Sequence, residues 1–392
     1  MLKLSLSRYP ILAPLISLIL AISLVMIWWK IDLWSFLIGS QPLWDFDVYY
    51  ATAQAARAGI SPYQVLFMQT AGPPLVVAVY LPFTYLPLSV ARAAVTFINL
   101  SAGALSCWML SKLITGRFRI SGALALLNLL WLSFPARFSL LLGQPNLILF
   151  LAVTTLLLHE YSAAVTNKFK LLGIPRADQW VTPLMLALAA LIKTNFLVLF
   201  ASTLRHSHLK FVWAVTALLV VAVLAVPILK VDYYMEYLTQ RAHHYTRSVV
   251  ELKDVDYYNQ SLRSTLGRFN LGSLAPQVFM FTAVLALVYL LVTGDVGAGV
   301  ALSLLSSPIV WQHYLVAVYP LLFFELYWLV KANKWWSVAA VCTCGLLMMT
   351  ELPWLHGRQL GGVNSLLASH YFIGLVGTFF LWTVAIKSKS NQ

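Results

Sequence analysis

Residues 11–29 read ILAPLISLILAISLVMIWW and contain no charged side chain. A helix needs about 20 mainly apolar residues to cross the hydrocarbon core of a bilayer. Further apolar runs follow near residues 87–111, 120–136, 146–160, 182–192, 195–204, 211–229, 275–292, 296–308, 313–330, 335–350 and 366–386. The sequence therefore predicts an all-α polytopic membrane protein, a bundle of about twelve transmembrane helices.

The composition agrees with a membrane location. Of the 392 residues, 60% are hydrophobic and only 10% are charged, whereas soluble domains are about 25% charged. We expect one integral membrane domain over residues 1–392, with membrane lipids as its surroundings. The net charge is +13, but no basic stretch alternates with aromatic residues on a polar background, so we expect no nucleic-acid partner.

The distribution of the basic residues predicts the topology. Cytoplasmic loops of membrane proteins are enriched in lysine and arginine. With both termini in the cytoplasm, the basic pairs Lys331/Lys334 and Lys387/Lys389 fall on that side. Two longer polar loops, about 30–86 and 230–274, then face outward together with most of the unusual polar residues. We expect a multi-pass protein of the cell inner (plasma) membrane with an extracytoplasmic site.

The first outer loop contains two acidic residues, Asp45 and Asp47, in the stretch Trp-Asp-Phe-Asp-Val-Tyr-Tyr. They precede an alanine-rich segment, residues 48–58, that favours a helix. Acidic residues at such a position compensate the helix dipole or cap the helix. Acids among aromatic residues beside a bilayer also suit a general base with a raised pKa. From these residues alone, both interpretations stay open.

Two short polar breaks interrupt the apolar runs. Leu-Gly-Gln-Pro-Asn at 142–146 suits a turn in which the side-chain amides form hydrogen bonds with backbone groups. Alternatively, Gln144 and Asn146 bind sugar hydroxyls. Arg137, just before it, either extends to the membrane surface or holds a phosphate. Lys193 lies on the outer side, where the topology disfavours lysine, and an intramembrane ionisable residue indicates function.

Later polar segments have the composition of a sugar-phosphate site. Residues 257–268 combine tyrosines, amides and arginines, which suit both sugar binding and an ordinary solvated loop. Residues 306–314 include Trp311 and His313, which also fit an aromatic belt at the membrane surface. The chain has no nucleotide-binding or serine-nucleophile motif. If it is an enzyme, its substrates arrive within the membrane.

These motifs together resemble glycosyltransferase family 87, whose members are polytopic GT-C-type enzymes related to the mycobacterial mannosyltransferases that build phosphatidylinositol mannosides. The resemblance rests on the following residues, which occur in the family's order: Asp45-Phe46-Asp47-Val48-Tyr49-Tyr50, Gly59-x-x-Pro62-Tyr63, Gly143-Gln144-Pro145-Asn146, Lys193, Asn259-Gln260-Ser261-Leu262, Arg268 and Ser307-Pro308-x-x-Trp311-x-His313. It covers most of the chain. Each motif is short, and only their combination is specific.

The resemblance implies an inverting transfer of a hexose, with mannose expected, from a polyprenyl-phosphate donor to a glycolipid or glycan acceptor. It assigns Asp45 as the general base and leaves Asp47 as a second base candidate, a cap or an acceptor-positioning residue. The donor phosphate is assigned to His313, Arg268, Arg263 and Lys193. Sugar or acceptor contacts are assigned to Tyr49, Gln144, Asn146, Asn259, Gln260 and Trp311. No metal and no cofactor is expected.

A transporter or flippase for a lipid-linked saccharide is the alternative function. Transporters usually contain paired halves related by symmetry, and this sequence has no evident internal repeat. A transport pathway also places polar groups between both membrane faces, whereas here they cluster on one. The sequence therefore favours the enzyme.

Overall fold

The computed structural model describes residues 12–63, 74–115, 119–161, 177–225, 228–241, 257–355 and 362–390. Within these residues the chain is helical and has no β-strand. The α-helices are α1 (Leu12–Lys30), α2 (Leu33–Leu37), α3 (Trp44–Arg57), α4 (Pro74–Ala78), α5 (Leu88–Thr115), α6 (Ile120–Leu132), α7 (Phe134–Leu142), α8 (Asn146–Tyr161), α9 (Ala177–Ile192), α10 (Phe200–His206), α11 (His208–Ala225), α12 (Val231–Glu236), α13 (Leu262–Arg268), α14 (Ala275–Thr293), α15 (Val296–Leu305), α16 (Tyr319–Lys331), α17 (Trp335–Met349), α18 (Val363–Ala368) and α19 (His370–Ser390). Short 3₁₀ helices cover Leu81–Tyr85, Thr194–Leu199, Gly272–Leu274, Gln312–Val318 and Pro353–Leu355.

Five helices of the described chain are long and apolar enough to cross a membrane, and the bent pair α6–α7 is a sixth candidate. The five are Leu88–Leu113, His208–Ala225, Gly272–Thr293, Gln312–Lys331 and His370–Lys387. Shorter apolar helices of 10–17 residues accompany them, in α1, α8, α9, α15 and α17. The all-helical membrane architecture is confirmed, but the count of about twelve spans is not.

The burial pattern separates an inner helix from outer ones. All ten residues of α15 are buried. In contrast, α11 and α14 present apolar side chains outward, among them Leu224 and Val292, which are 73% and 65% exposed. Apolar side chains over a whole outer face are unfavourable in water and suit contact with lipid.

Several apolar helices are interrupted by breaks, so the number of apolar runs in the sequence differs from the number of helices long enough to cross a membrane. Helices α6 and α7 meet at Ser133 with a bend of 71°, and Pro135 lies in the first turn of α7, where a proline is tolerated. Helix α9 ends before Lys193, and a 3₁₀ helix follows. Another 3₁₀ helix, Gln312–Val318, precedes α16. Non-helical backbone at membrane depth requires protein or a water-filled cavity around it.

The two long outer segments contain short helices. Segment 30–86 holds α2, α3 and α4, and segment 230–274 holds α12 and α13. The helix expected over residues 48–58 is confirmed as α3, which begins four residues earlier and therefore includes both aspartates. Residues 64–73 and 242–256 of these segments lie outside the described residues.

Candidate active site

The two aspartates of the first outer segment lie in the first turn of α3. The N-cap position belongs to Leu43, so neither aspartate occupies it. Gly59, with a φ of +81°, follows the end of the helix, in a conformation that glycine adopts without strain. Side chains two residues apart point about 200° apart around a helix. Asp45 and Asp47 therefore meet different partners.

Asp47 is paired with Arg92 of α5. Arg92 Nε donates to Oδ1 at 2.8 Å, and Nη2 donates to Oδ2 at 2.7 Å. The side chains of Arg92 and Asp47 are 17% and 25% exposed. A bidentate guanidinium pair fixes the orientation of the carboxylate and stabilises its charged form. Asp47 thus joins α3 to α5.

Asp45 is hydrogen-bonded to an amide instead. Gln144 Nε2 donates to Asp45 Oδ2, and Gln144 Oε1 accepts a hydrogen bond from Lys193 Nζ at 2.5 Å. Gln144 is 6% exposed. The amide thereby connects the carboxylate to the lysine, and three segments far apart in the sequence meet.

Gly143 makes this approach possible. It ends α7 in the left-handed conformation, with φ 68° and ψ 23°. A Cβ atom at this position would lie 2.7 Å from the Cβ atoms of both Leu43 and Phe46. Only glycine allows α7 to end this close to α3, and the next residue, Gln144, consequently reaches Asp45.

Lys193 lies at the break between α9 and the following 3₁₀ helix, where its backbone is extended. Its Nζ atom is 3.9 Å from the ring centroid of Tyr314, a distance at which a ring attracts a cation. The Tyr314 ring contacts His313, with centroids 4.8 Å apart. The polar network therefore continues from Asp45 to His313.

His313 is 2% exposed and enclosed by aromatic rings. Its imidazole packs edge-on against Phe138 at 5.4 Å. Neither ring nitrogen has a hydrogen-bond partner among the described residues. Buried imidazole nitrogens are normally hydrogen-bonded, so these two atoms are suited to meeting a polar ligand.

Two of the sequence motifs meet beside His313. Gln260 N donates to Val310 O at 2.6 Å, and Gln312 N donates to Tyr258 O at 3.2 Å. These bonds form an isolated antiparallel bridge between Asn259 and Trp311. The outer segment 257–268 is thereby fixed against the segment that carries His313.

The amides of Asn259 and Gln260 are turned toward the backbone. They are 2% and 0% exposed. Asn259 Oδ1 accepts from the main-chain N–H of Val310 at 3.2 Å. Gln260 Nε2 donates to the carbonyls of Tyr257 and Ala368 at 2.6 and 2.9 Å. Both side chains thus hold the bridge together, and their contact with sugar stays a prediction.

Arg268 is also buried, at 2% exposure. Its guanidinium donates to the carbonyl of Asn259 and to Ser369 Oγ, the latter at 3.1 Å. It therefore supports the backbone opposite Trp311. Arg263 is half-buried on the same helix, α13. Phosphate binding by Arg268 and Arg263 stays a prediction.

Tyr49 stacks on Tyr80 next to Asp45. The ring centroids are 4.7 Å apart and the planes differ by 6°. Burial raises the pKa of the Tyr80 hydroxyl well above its usual value, and the nearby Asp45 carboxylate raises it further. Tyr80 is therefore a neutral hydroxyl close to the Asp45 carboxylate.

Asn146 and Trp311 differ in their exposure. Asn146 is fully buried, and its Nδ2 donates to Ser139 Oγ at 3.2 Å. Ser139 Oγ in turn donates to the carbonyl of His313 at 3.3 Å. Trp311 is half-buried. Asn146 is thus connected to the His313 backbone through one hydroxyl.

Sequence reasoning missed Arg92, although a signal was present. Arg92 lies near the outer end of an otherwise apolar run, on the side where the topology predicts few cations. The same argument identified Lys193. Within the described residues, no three His, Cys, Asp or Glu side chains are grouped. The expected metal-free reaction stays a prediction.

A comparison with protein families gave a match over most of the chain. The model of glycosyltransferase family 87 matches residues 71–353, which is more than half of the chain. Neither the curated proteins nor the solved structures that were compared gave a match.

Proposed function

This chain belongs to glycosyltransferase family 87, and we propose that it transfers a hexose, mannose, from a polyprenyl-phosphate donor to a glycolipid or glycan acceptor. We place the reaction at the extracytoplasmic face of the inner membrane, with both termini in the cytoplasm. The observation that carries the proposal is the contact of Asp45 with Gln144 and Lys193. It brings together a carboxylate, an amide and a lysine from three segments far apart in the sequence.

Asp45 is the general base of the proposed reaction. It removes the proton of the acceptor hydroxyl while that oxygen forms a bond to the anomeric carbon of the donor. The bond between this carbon and the phosphate oxygen breaks, and its electron pair leaves with the prenyl phosphate. Attack opposite the leaving group inverts the anomeric configuration.

The difference between the two aspartates supports this assignment. Both carboxylate oxygens of Asp47 accept hydrogen bonds from Arg92, so Asp47 is engaged in an ion pair with α5. Asp45 has a different partner, the amide of Gln144. Asp47 then serves as a positioning residue for α3.

Stabilisation of the departing phosphate needs hydrogen-bond donors at the negative oxygen. We propose His313 and Lys193 for this role, because His313 has two buried ring nitrogens without a hydrogen-bond partner among the described residues. Lys193 lies beside the neighbouring Tyr314. Arg268 and Arg263 are proposed as further hydrogen-bond donors to the phosphate, and Arg268 also donates to the carbonyl of Asn259.

Sugar recognition is proposed for two sets of residues. Tyr49 and Trp311 contact the sugar or acceptor directly, since both are partly exposed aromatic residues near the network. Gln144 is buried and acts through Asp45, to which its amide donates. Asn146, Asn259 and Gln260 are buried and bonded to other protein groups. They act by fixing the backbone around the site.

The test is sugar transfer by the purified protein in nanodiscs, with radiolabelled polyprenyl-phosphate mannose, a panel of glycolipid and glycan acceptors, and nucleotide-activated mannose as the control donor. We expect transfer from the lipid-linked donor alone, with an inverted linkage identified by anomer-specific glycosidases. Transfer from the nucleotide sugar alone would contradict the proposal. Movement of labelled lipid between leaflets without product would favour the flippase.

A further inference from the structure

A cavity of about 230 Å³ lies beside α7. Its wall is apolar except for two charged side chains, Arg137 and Glu351. Its volume equals that of about eight water molecules, which is enough for a small polar group such as phosphoethanolamine. The cavity therefore offers one positive and one negative group in apolar surroundings.

Arg137 is the cation of this cavity. Its Nε atom is buried and has no hydrogen-bond partner among the described residues. Because a buried donor without a partner is unfavourable, the position favours a ligand that accepts hydrogen bonds. The ion pairs of the described chain do not join Arg137 to Glu351. The two opposite charges therefore line the same cavity without pairing with each other.

The predicted topology places the cavity at the outer surface of the membrane. Ile31, on its wall, follows the end of α1, and Glu351 comes shortly after the end of α17. With both termini in the cytoplasm, both of these helix ends are extracytoplasmic. Trp29 and Trp34, on either side of Ile31, are 88% and 70% exposed, and exposed tryptophans are typical of the boundary between membrane and water. This is the depth of the lipid headgroups of the outer leaflet.

We infer that this cavity binds the headgroup of a zwitterionic phospholipid, phosphatidylethanolamine, with Arg137 on the phosphate and Glu351 on the ammonium group. A guanidinium binds two phosphate oxygens through parallel hydrogen bonds. A carboxylate accepts hydrogen bonds from the N–H groups of a primary ammonium. The apolar wall suits the glycerol carbons and the start of the acyl chains. The inference does not depend on the proposed sugar transfer.

The two charges determine which headgroups fit. Phosphatidylglycerol has the phosphate but no cation to meet Glu351, and its negative charge is repelled by a carboxylate. Phosphatidylcholine has a cation without N–H groups, so it donates no hydrogen bond to Glu351. Among these three lipids, phosphatidylethanolamine is the one that matches both side chains.

Phe138 connects the cavity to the candidate active site. It follows Arg137 on α7 and lines the cavity. Its ring also contacts His313 at 5.4 Å and Tyr258 at 5.7 Å. A lipid bound to Arg137 therefore stabilises the part of α7 that packs against His313.

The experiment is native mass spectrometry of the purified protein in detergent, titrated with phosphatidylethanolamine, phosphatidylglycerol or phosphatidylcholine of identical acyl chains. Wild type is compared with Arg137→Gln, Arg137→Lys and Glu351→Gln. The controls are Arg205→Gln and Asp232→Asn, which change exposed residues that do not line the cavity. The dissociation constant of the first bound lipid is measured, and thermal unfolding without lipid shows which variants are folded.

We expect wild type to bind phosphatidylethanolamine about 10-fold more tightly than the other two lipids, the effect of one hydrogen bond to a charged group. Arg137→Gln should weaken the binding of phosphatidylethanolamine and phosphatidylglycerol by about 10- to 100-fold. Arg137→Lys keeps the charge and should lose less. Glu351→Gln should remove the preference for phosphatidylethanolamine over phosphatidylglycerol, and both control variants should bind like wild type.

Equal affinity of wild type for the three lipids would overturn the proposal, as would a preference for phosphatidylethanolamine that survives in both Arg137→Gln and Glu351→Gln. Tighter binding of phosphatidylglycerol that depends on Arg137 would identify an anionic phospholipid as the occupant and overturn the role of Glu351. Equal losses in Arg205→Gln and Arg137→Gln would show a general attraction between lipid and basic residues instead of a site. If Arg137→Gln does not fold, Arg137→Lys and Glu351→Gln decide between these outcomes.

Discussion

Arg92 donates two hydrogen bonds to Asp47, at 2.8 and 2.7 Å, and thereby fixes the first turn of α3 to the start of α5. Asp45 lies two residues earlier in the same turn. The pair therefore holds the helix that carries the proposed base, and it separates two aspartates that the sequence presents as equivalent.

The Asp47–Arg92 pair should affect the sugar-transfer rate because it fixes the position of α3, the helix that carries Asp45. We expect Asp47→Asn and Arg92→Gln each to lower the transfer rate by about 10-fold, because small displacements of a reacting group slow catalysis. The double variant should be less impaired than the sum of the two effects, with a coupling energy of about 1 kcal/mol. Transfer rates and thermal unfolding of all four proteins test this. Strictly additive effects would show that the pair does not act as a unit.

Gly143→Ala should disrupt the contact between Gln144 and Asp45. The new Cβ meets the Cβ atoms of Leu43 and Phe46 at 2.7 Å, so α7 must move from α3. Gly59→Ala is the matched control, because Gly59 also has a positive φ but only Lys230 Nζ nearby, at 3.7 Å. Both variants lose about 1 kcal/mol to backbone strain.

In Gly143→Ala alone, we expect overpacking to lower the free energy of unfolding by a further amount of about 1–3 kcal/mol. The same variant should lose most of its transfer activity, while Gly59→Ala keeps it. Thermal unfolding and transfer assays measure both quantities. Similar behaviour of the two variants would remove the steric argument for Gly143.

Lys193→Met should lower the transfer rate by about 100-fold, the effect of removing one donor from a charge-stabilising site. The variant also leaves Gln144 without the hydrogen bond from Nζ. Lys331→Met is the control, because Lys331 also lies over a tyrosine ring, that of Tyr327, at 4.4 Å. Lys331 is predicted to lie on the cytoplasmic side of the membrane, away from the proposed site. An equal loss in both variants would indicate a general effect of removing lysine.

Glu325→Met should raise the thermal stability of the protein. Glu325 is fully buried in α16, and neither carboxyl oxygen has a hydrogen-bond partner among the described residues. A buried polar group without partners is unfavourable by about 1–3 kcal/mol, and methionine has a similar length. The melting temperature in detergent measures the change. A lower value would show that the carboxyl group is bonded in the native protein.

Apolar runs predicted the helical membrane bundle, and cations or amides out of place in those runs indicated Lys193 and Gln144 as candidates. The structure brings both together with Asp45, and their roles in the reaction stay a prediction. The pairing of Asp47 with Arg92 was not predicted. An arginine in an apolar run is visible in the sequence, but the sequence does not show which side chain it contacts.

The path of the helices was also hard to predict. A break such as the one at Ser133 depends on how neighbouring segments pack, and the apolar composition continues through it. The backbone contacts of the Asn259 and Gln260 amides were also not predicted, because an amide that bonds the backbone has the same sequence signature as one that bonds a hydroxyl.

The most direct test of the account is the transfer rate of wild type, Asp45→Asn and Asp47→Asn from radiolabelled polyprenyl-phosphate mannose, measured with donor binding on the same samples. A general base contributes about 10²–10⁴-fold to the rate. We therefore predict a loss of that size in Asp45→Asn with donor affinity retained, against a loss of about 10-fold in Asp47→Asn. Near-normal transfer by Asp45→Asn, with abolition in Asp47→Asn, would contradict the assignment of Asp45 as the base.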